Sequence, residues 1–302
     1  MSYVVTLVAS NEKEYPVTSQ DAQKITALLQ ELGYQVTSSP SWIEQGKAVD
    51  IGIENFLNVE DLPAIRQSLK ATYTDIFCNS IDHRRKKLLC ADMDSTIVVG
   101  ETLDDLAGEI GLKEQIAEIT ERAMNGEMPF DQALRERIRL LKDLPAEKMR
   151  TTLEKLRLNK GAKAFINVMR DHGAICVLVT GGFTFFAEPV AKECNFHECH
   201  GNMLKIEDGV LTGYVQEPIL DKNSKLQLLK EYTYKNHIKP TQTMAIGDGA
   251  NDLPMLEHAS FGVGYHPKKL VQEKLVNVIM YGDLTAALYA QGYNSSHIRK
   301  YL

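Results

Sequence analysis

Asp92 and Asp94 stand two residues apart at the end of an apolar run, in the stretch LLCADMDSTI from residue 88 to residue 97. Carboxylates this close repel each other, and each holds its proton more tightly unless a cation lies between them. The pair asks for a metal ion or a proton-transfer role, with a strand-end turn as the ordinary alternative. Asp248 and Asp252 repeat the pattern in IGDGANDLPM, after the apolar run Thr243 to Ile246. Oxygen-only ligands with room for water are what Mg²⁺ takes, and one such ion would keep the carboxylates ionised and bridge to a phosphate oxygen. Thr180-Gly181-Gly182, after Ala174 to Val179, offers a hydroxyl and glycine amides at a strand-to-helix turn, which suits an anion. Lys225, near a helix start in KNSKLQLL, supplies a fixed positive charge. A nucleophile, a cation, amide donors and a lysine are together the parts of a phosphoryl-transfer site.

Those side chains need elements that bring them together. Leu88 to Ala91, Ala174 to Val179 and Thr243 to Ile246 are apolar strands separated by long helical stretches, so they are expected to be parallel with crossover helices. The carboxyl ends of such strands share one edge of the sheet, where ligands bind. GDGAND lacks the last glycine of a dinucleotide loop, and no G-x-x-x-x-G-K-[ST] nucleotide loop is present. Between the first two tips lie about 80 mostly helical residues. Leu103, Leu106, Ala107 and Ile110 share a face, as do Ile116, Ile119 and Ala123, and helices follow at about Phe130 to Lys142 and Ala146 to Leu156. So large an insertion reads as a helical cap, at roughly 101–160, that closes over the strand tips and excludes water.

Residues 1–82 read as strand, helix, strand, strand, helix, strand, the order of a small ferredoxin-like α+β unit. The strands are expected at Val4 to Val8, Tyr34 to Thr37, Val49 to Ile53 and Tyr73 to Cys78. The helices are expected from Ser19 to the stop at Gly33 and from Asp61 to Leu69. HRRKK, residues 83–87, reads as a solvated linker to the second domain, residues 83–302.

With 302 residues the chain is long enough for two ordinary domains or one large one, and 44% hydrophobic and 25% charged is the composition of a soluble globular protein. A formal charge of −6 argues against a nucleic-acid partner. The N-terminal stretch MSYVVTLVASNEKEYP lacks a basic region and a signal-length apolar run, and no segment approaches the roughly 18 apolar residues of a membrane span. A cytoplasmic protein without a membrane partner is therefore expected, with its five cysteines reduced. Cys194, His197, Cys199 and His200 in CNFHECH are zinc-ligand types, but no second ligand pair with matching regularity accompanies them.

The ordered motifs DMDST, hydroxyl-Gly-Gly-Phe, lysine and GDGANDLPM resemble those of the haloacid dehalogenase superfamily, and within it the phosphoserine phosphatase family, over roughly residues 85–290. The spacing from Asp92 to Glu101 in DSTIVVGET and the segment AMNGEMPFDQALRERIRLLKDL are similar as well. The resemblance implies a Rossmann-like parallel-sheet core with an inserted cap, preceded by an ACT-like domain, and with it a possible homodimer paired through strand edges. It implies that Asp92 is the nucleophile, that Asp94 is the acid and base, and that Asp92, Asp248 and the backbone carbonyl of Asp94 hold Mg²⁺. Thr180 and Gly181 would bind phosphate, Lys225 would steady Asp92 and the phosphoryl group, and Asn251 and Asp252 would support phosphate and metal. Glu101 would meet an ammonium and Arg137 a carboxylate, with Met124 and Phe130 packing over the substrate.

The implied substrate is O-phospho-L-serine, in the closing step of serine biosynthesis. A phosphotransferase or a phosphatase for another small phosphomonoester uses the same intermediate, and an amino-acid sensor with secondary catalysis is the reading from another class. Glu101 at a helix start and Arg137 on a charged helix face also have an ordinary structural reading, as do Met124 and Phe130 in a core. His266 reads as a turn residue before Pro267, and Lys222 is the competitor for the role of Lys225.

Overall fold

The computed structural model describes residues 2–124 and 127–302, with the side chains of Glu121, Ala123, Met124, Phe130 and Lys222 outside the described set. The chain begins with β1 (Tyr3–Ala9), α1 (Ser19–Glu31), β2 (Ser41–Glu44), β3 (Ala48–Ile53), α2 (Leu62–Leu69) and β4 (Thr74–Ser80). These strands pair antiparallel in the order β2-β3-β1-β4, the ferredoxin-like arrangement. Thr18 caps α1 through a capping box with Asp21, which contributes about 1 kcal/mol. Ala22, Ile25 and Leu29 then face the sheet, and Gly33 turns the chain at φ +89°. The second strand lies later than its apolar residues suggest. Val36 makes only an isolated bridge to Ile53, while Ser41–Glu44 pairs with β3. Edge pairing depends on the partner strand more than on local propensity, which is why Tyr34 to Thr37 misled.

The larger unit runs β5 (Leu88–Ala91), α3 (Thr102–Gly108), α4 (Lys113–Met124), α5 (Phe130–Leu140), α6 (Glu147–Lys155), α7 (Ala162–Asp171), β6 (Ile175–Phe183), α8 (Thr184–Cys194) and β7 (Glu198–Asn202). It continues with β8 (Leu204–Glu207), β9 (Val210–Val215), α9 (Lys222–Lys235), β10 (Thr243–Gly247), α10 (Leu253–His258), β11 (Phe261–Tyr265), α11 (Lys269–Lys274), β12 (Asn277–Ile279) and α12 (Ala286–Ala290). Among the described residues β12-β11-β10-β5-β6-β7 form one parallel sheet. Leu88 and Cys90 face α9, α10 and α11, whereas Leu89 and Ala91 face α7, α8 and α12. Both faces are buried, so these strands read as continuous apolar runs.

Helices α3 to α6 are the insertion after β5. A second piece joins them from far along the chain: the β8–β9 hairpin, tied by Asp143 N–H to Leu211 O at 2.8 Å and Ala146 N–H to Gly209 O at 2.9 Å.

The basic run at 83–87 is structural instead of a solvated linker. Arg84 makes a bidentate pair with Asp50 at 2.7 and 2.8 Å and reaches Ala290 O, while Lys86 is buried with its ammonium on Thr241 O. Burial forces these cations onto carboxylate and carbonyl partners from both units.

Candidate active site

Asp92 leaves β5 with its N–H still in the ladder, donating to Ile246 O at 2.9 Å. Its carboxylate is 4% exposed and accepts from Lys225 Nζ at 2.6 Å. The same ammonium donates to Asp252 Oδ1 at 2.6 Å, and the other oxygen of Asp252 accepts Gly249 N–H at 3.2 Å. Burial opposes the charge on Lys225, but Asp252 and Asp92 outweigh it and hold its pKa above the ordinary lysine value. A side chain on Gly247 would put its Cβ 2.5 Å from Asp252, so glycine is what lets that carboxylate fold against the β10 tip.

Asp94 points the other way along the edge. It accepts Thr102 N–H, at the start of α3, at 2.8 Å and the Thr180 hydroxyl at 3.2 Å. Burial pushes its pKa up, against those hydrogen bonds. Gly182 N–H donates to Thr180 Oγ1 at 2.8 Å, and a Cβ on Gly182 would come within 2.9 Å of Asp94 Oδ2. Thr180, Gly181 and Gly182 still belong to β6, so the tip expected to bind an anion is the end of the strand itself and not a strand-to-helix turn.

Asp92, Asp248 and Asp252 each offer a carboxylate oxygen within 4.8 Å of one another, the only group of three or more metal-ligating side chains of this kind among the described residues. Burial and then neighbouring Asp252 raise the pKa of Asp92 well above the carboxylate range and that of Asp248 to about 6. Asp252 is already engaged by Lys225 and Gly249. The oxygens with capacity left are those of Asp92 and Asp248, an all-oxygen, negatively charged set that fits a hard divalent cation.

Glu101 occupies the N-cap position of α3 without capping it through its side chain, which instead accepts from Ser95 Oγ at 2.7 Å and is raised to about 7 by burial and then by Asp94. Arg137, half-buried on α5, donates to Ala133 O and Thr120 Oγ1, both at 3.3 Å, and pairs with no carboxylate among the described residues. Burial lowers its pKa, opposed by Asp104 and Glu101. Asn251 folds over Gly249, where a Cβ would fall 2.4 Å from its Oδ1. The side chains of Met124, Phe130 and Lys222 lie outside the described residues. His266 sits in an exposed turn at φ +40° with Nε2 paired to Gly282 O at 3.0 Å. His197 Nδ1 accepts Cys176 N–H at 3.1 Å, and His200 Nε2 pairs with the Tyr232 hydroxyl at 2.8 Å.

Sequence reasoning missed three groups. Ser95 holds Glu101, the Thr102 amide holds Asp94, and Lys268 places its ammonium 3.6 Å from Asp248 Oδ2 while its N–H donates to Asp248 O at 3.0 Å. The signal for Lys268 was available, since HPKK follows a strand tip as GDG does.

The haloacid dehalogenase-like hydrolase profile matches residues 89–257, which contain every strand tip of the site. The chain belongs to this family. Within it, the chain is 41% identical over 199 residues to the phosphoserine phosphatase of Streptococcus thermophilus, covering 66% of this chain and 93% of that protein. It is 38% identical over 191 residues to the phosphoserine phosphatase of Archaeoglobus fulgidus, covering 63% of this chain but only 56% of that protein. Among solved structures, an unliganded probable phosphoserine phosphatase from Vibrio cholerae superposes with a TM-score of 0.74 at 26% identity, over 99% of this chain and 88% of the other. Hydrolases of this family that act on phosphate esters generally use a divalent metal, in keeping with the acidic cluster.

Proposed function

We propose that this family member is a Mg²⁺-dependent phosphoserine phosphatase that hydrolyses O-phospho-L-serine to L-serine and phosphate, the closing step of serine biosynthesis. The observation that carries the reading is one ammonium, Lys225, held at 2.6 Å from both Asp92 and Asp252 beside Asp248, with Asp94 anchored separately. Two carboxylates at one strand end are thereby given different tasks by different surroundings. Asp92 attacks phosphorus in its ionised form, which the Lys225 ammonium at 2.6 Å and a cation beside it would favour against the effect of burial: its Oδ forms a bond to phosphorus as the bond to the serine oxygen breaks. Asp94, whose burial favours the protonated form, gives its proton to the departing oxygen. Asp94 then takes a proton from water as that water attacks the aspartyl-phosphate, which releases phosphate and restores Asp92.

Thr180 and Gly181 hold the phosphoryl oxygens, with Asn251 beside them and Asp252 fixing Lys225. Asp92 and Asp248, through their side chains, and Asp94, through its backbone carbonyl, would hold Mg²⁺, which would supply neutralising charge to the carboxylates and the phosphoryl group. Glu101 takes the substrate ammonium and Arg137 its carboxylate, a bidentate match for a guanidinium, with Met124 and Phe130 over the bound serine. In this reading residues 1–82 form the ACT-like domain and residues 83–302 the phosphatase domain with its cap at about 101–160. The protein works in the cytoplasm as a homodimer, without a nucleic-acid or membrane partner.

Phosphate release from a panel of small phosphomonoesters, with Mg²⁺ or with chelator, tests the reading. O-phospho-L-serine leading the panel, with activity lost on chelation, is the expected result; another leading substrate overturns the roles of Glu101 and Arg137. Light scattering at micromolar concentration that returns the monomer mass rejects the homodimer.

A further inference from the structure

Asn202 ends β7, one residue from the hairpin, and has no part in the chemistry above. Its side chain is 2% exposed. Nδ2 donates to Gly181 O at 2.8 Å and to Leu220 O at 3.3 Å, and Oδ1 accepts Leu220 N–H at 2.7 Å. One carboxamide thus joins two segments that enter the site from opposite directions. Gly181 is in the anion-binding tip of β6. Leu220 immediately precedes Asp221, the N-cap of α9, whose side chain accepts Asn223 N–H at 3.0 Å and Ser224 N–H at 2.9 Å. Lys225 is the next residue of that helix, and it holds Asp92 and Asp252.

The end of β7 is shaped around this junction. A Cβ on Gly201 would meet Thr180 Cγ2 at 3.1 Å and Thr184 N at 3.2 Å, so glycine lets the strand close on the tip and bring Asn202 into reach. A buried amide with its donors and acceptor committed has no rotamer freedom left to lend, and it fixes whatever it joins.

We infer that Asn202 is a positioning residue that sets the distance between the Gly181 tip and the Lys225 ammonium, so that both meet the same phosphoryl group. This rests on the phosphatase reading. A misplacement on the order of 1 Å between two groups that act on one phosphoryl costs about a hundredfold in rate. Local packing alone would affect stability and leave the phosphate contacts unchanged.

The test compares the full-length wild type, Asn202→Ala and Asn202→Asp for turnover of O-phospho-L-serine, for binding of inorganic phosphate by calorimetry, and for thermal midpoint. Asn202→Asp keeps the acceptor for Leu220 N–H and the side-chain size, so it carries the test where Asn202→Ala does not fold. Expected is a fall in kcat of about 10- to 100-fold in folded variants, with phosphate binding weakened alongside it. Asn202→Asp regains activity relative to wild type as pH falls, because a protonated carboxyl again donates to Gly181 O. Folded variants with wild-type kcat and phosphate affinity overturn the inference. A wild type that binds phosphate without turning over phosphoserine sinks the phosphatase reading alone, and the positioning role is then read from phosphate affinity. A wild type that does neither overturns both.

Discussion

Asp92 and Lys225 form a pair that neither residue tolerates losing. Asp92→Asn leaves no nucleophile, and phosphate release is expected to fall by at least about a thousandfold in a steady-state assay. Lys225→Met leaves Asp92 and Asp252 buried without their cation, so a loss of about 3–5 kcal/mol is expected in denaturant unfolding, besides lost activity. In the proposed role, Glu101 would carry the pH dependence of substrate binding. Its carboxyl is raised to about 7 by burial and then by Asp94, and only its ionised form attracts an ammonium. KM for O-phospho-L-serine is therefore expected to rise as pH falls through about 7, and Glu101→Gln to show a high KM that stays flat across that range. A Glu101→Gln profile that matches wild type removes Glu101 from the ammonium role.

At the scale of the element, helix α9 delivers Lys225 from its first turn, so the way the helix starts decides where the ammonium lies. Asp221 supplies the cap, and its own N–H donates in return to Ser224 Oγ. Asp221→Ala is expected to cost about 1 kcal/mol, measured as a shift of the urea midpoint at unchanged slope. Strand β6 delivers the anion-binding tip by a different device, a glycine where Asp94 presses against the backbone. Gly182→Ala would push its Cβ to 2.9 Å from Asp94 Oδ2, so a lower kcat with little change in melting temperature is expected. Wild-type kcat in a folded Gly182→Ala protein would show that Asp94 has room to move.

The units built on the four-stranded and six-stranded sheets are held together by polar groups that cross between them. Asp75, 2% exposed on β4, accepts N–H groups from Met280, Tyr281 and Gly282 at 2.7, 3.1 and 2.8 Å. Arg66 reaches the carbonyls of Gln272, Leu275 and Val276 at 2.9 to 3.2 Å. Val8, Ala48 and Phe77 from the small sheet are packed into the core of the large one. Asp75→Ala takes the acceptor from three backbone N–H groups, that of Gly282 buried and those of Met280 and Tyr281 half-buried, and a loss of about 1–3 kcal/mol is expected from denaturant unfolding. Burial pushes the Asp75 carboxyl up to about 6, against those three N–H bonds, from an ordinary value of 3.8. The folded protein therefore binds this proton more tightly than the unfolded chain. Its contribution to stability is largest below about pH 4 and is lost as pH rises towards 6. Asp75→Asn should remove that slope from stability measured against pH, and an unchanged slope would show that other groups carry it.

The convergence of Asp92, Asp248 and Asp252 was legible in the sequence because apolar runs that end in Asp or Gly-Gly, separated by long helical stretches, are most simply buried parallel strands whose tips share one edge. The α/β class, the inserted cap and the ferredoxin-like order followed from periodicity and from segments of local character. The position of β2, the union of the β8–β9 hairpin with the cap, and the burial of Arg84 and Lys86 were decided by tertiary structure. The hairpin and the buried cations depend on partners far along the chain, Leu144 for Leu211 and Asp50 for Arg84, and β2 on its register against β3. The same holds at the site. Two aspartates two residues apart look alike in sequence, and it is the ammonium of Lys225 on one and the Thr102 amide on the other that give them different surroundings.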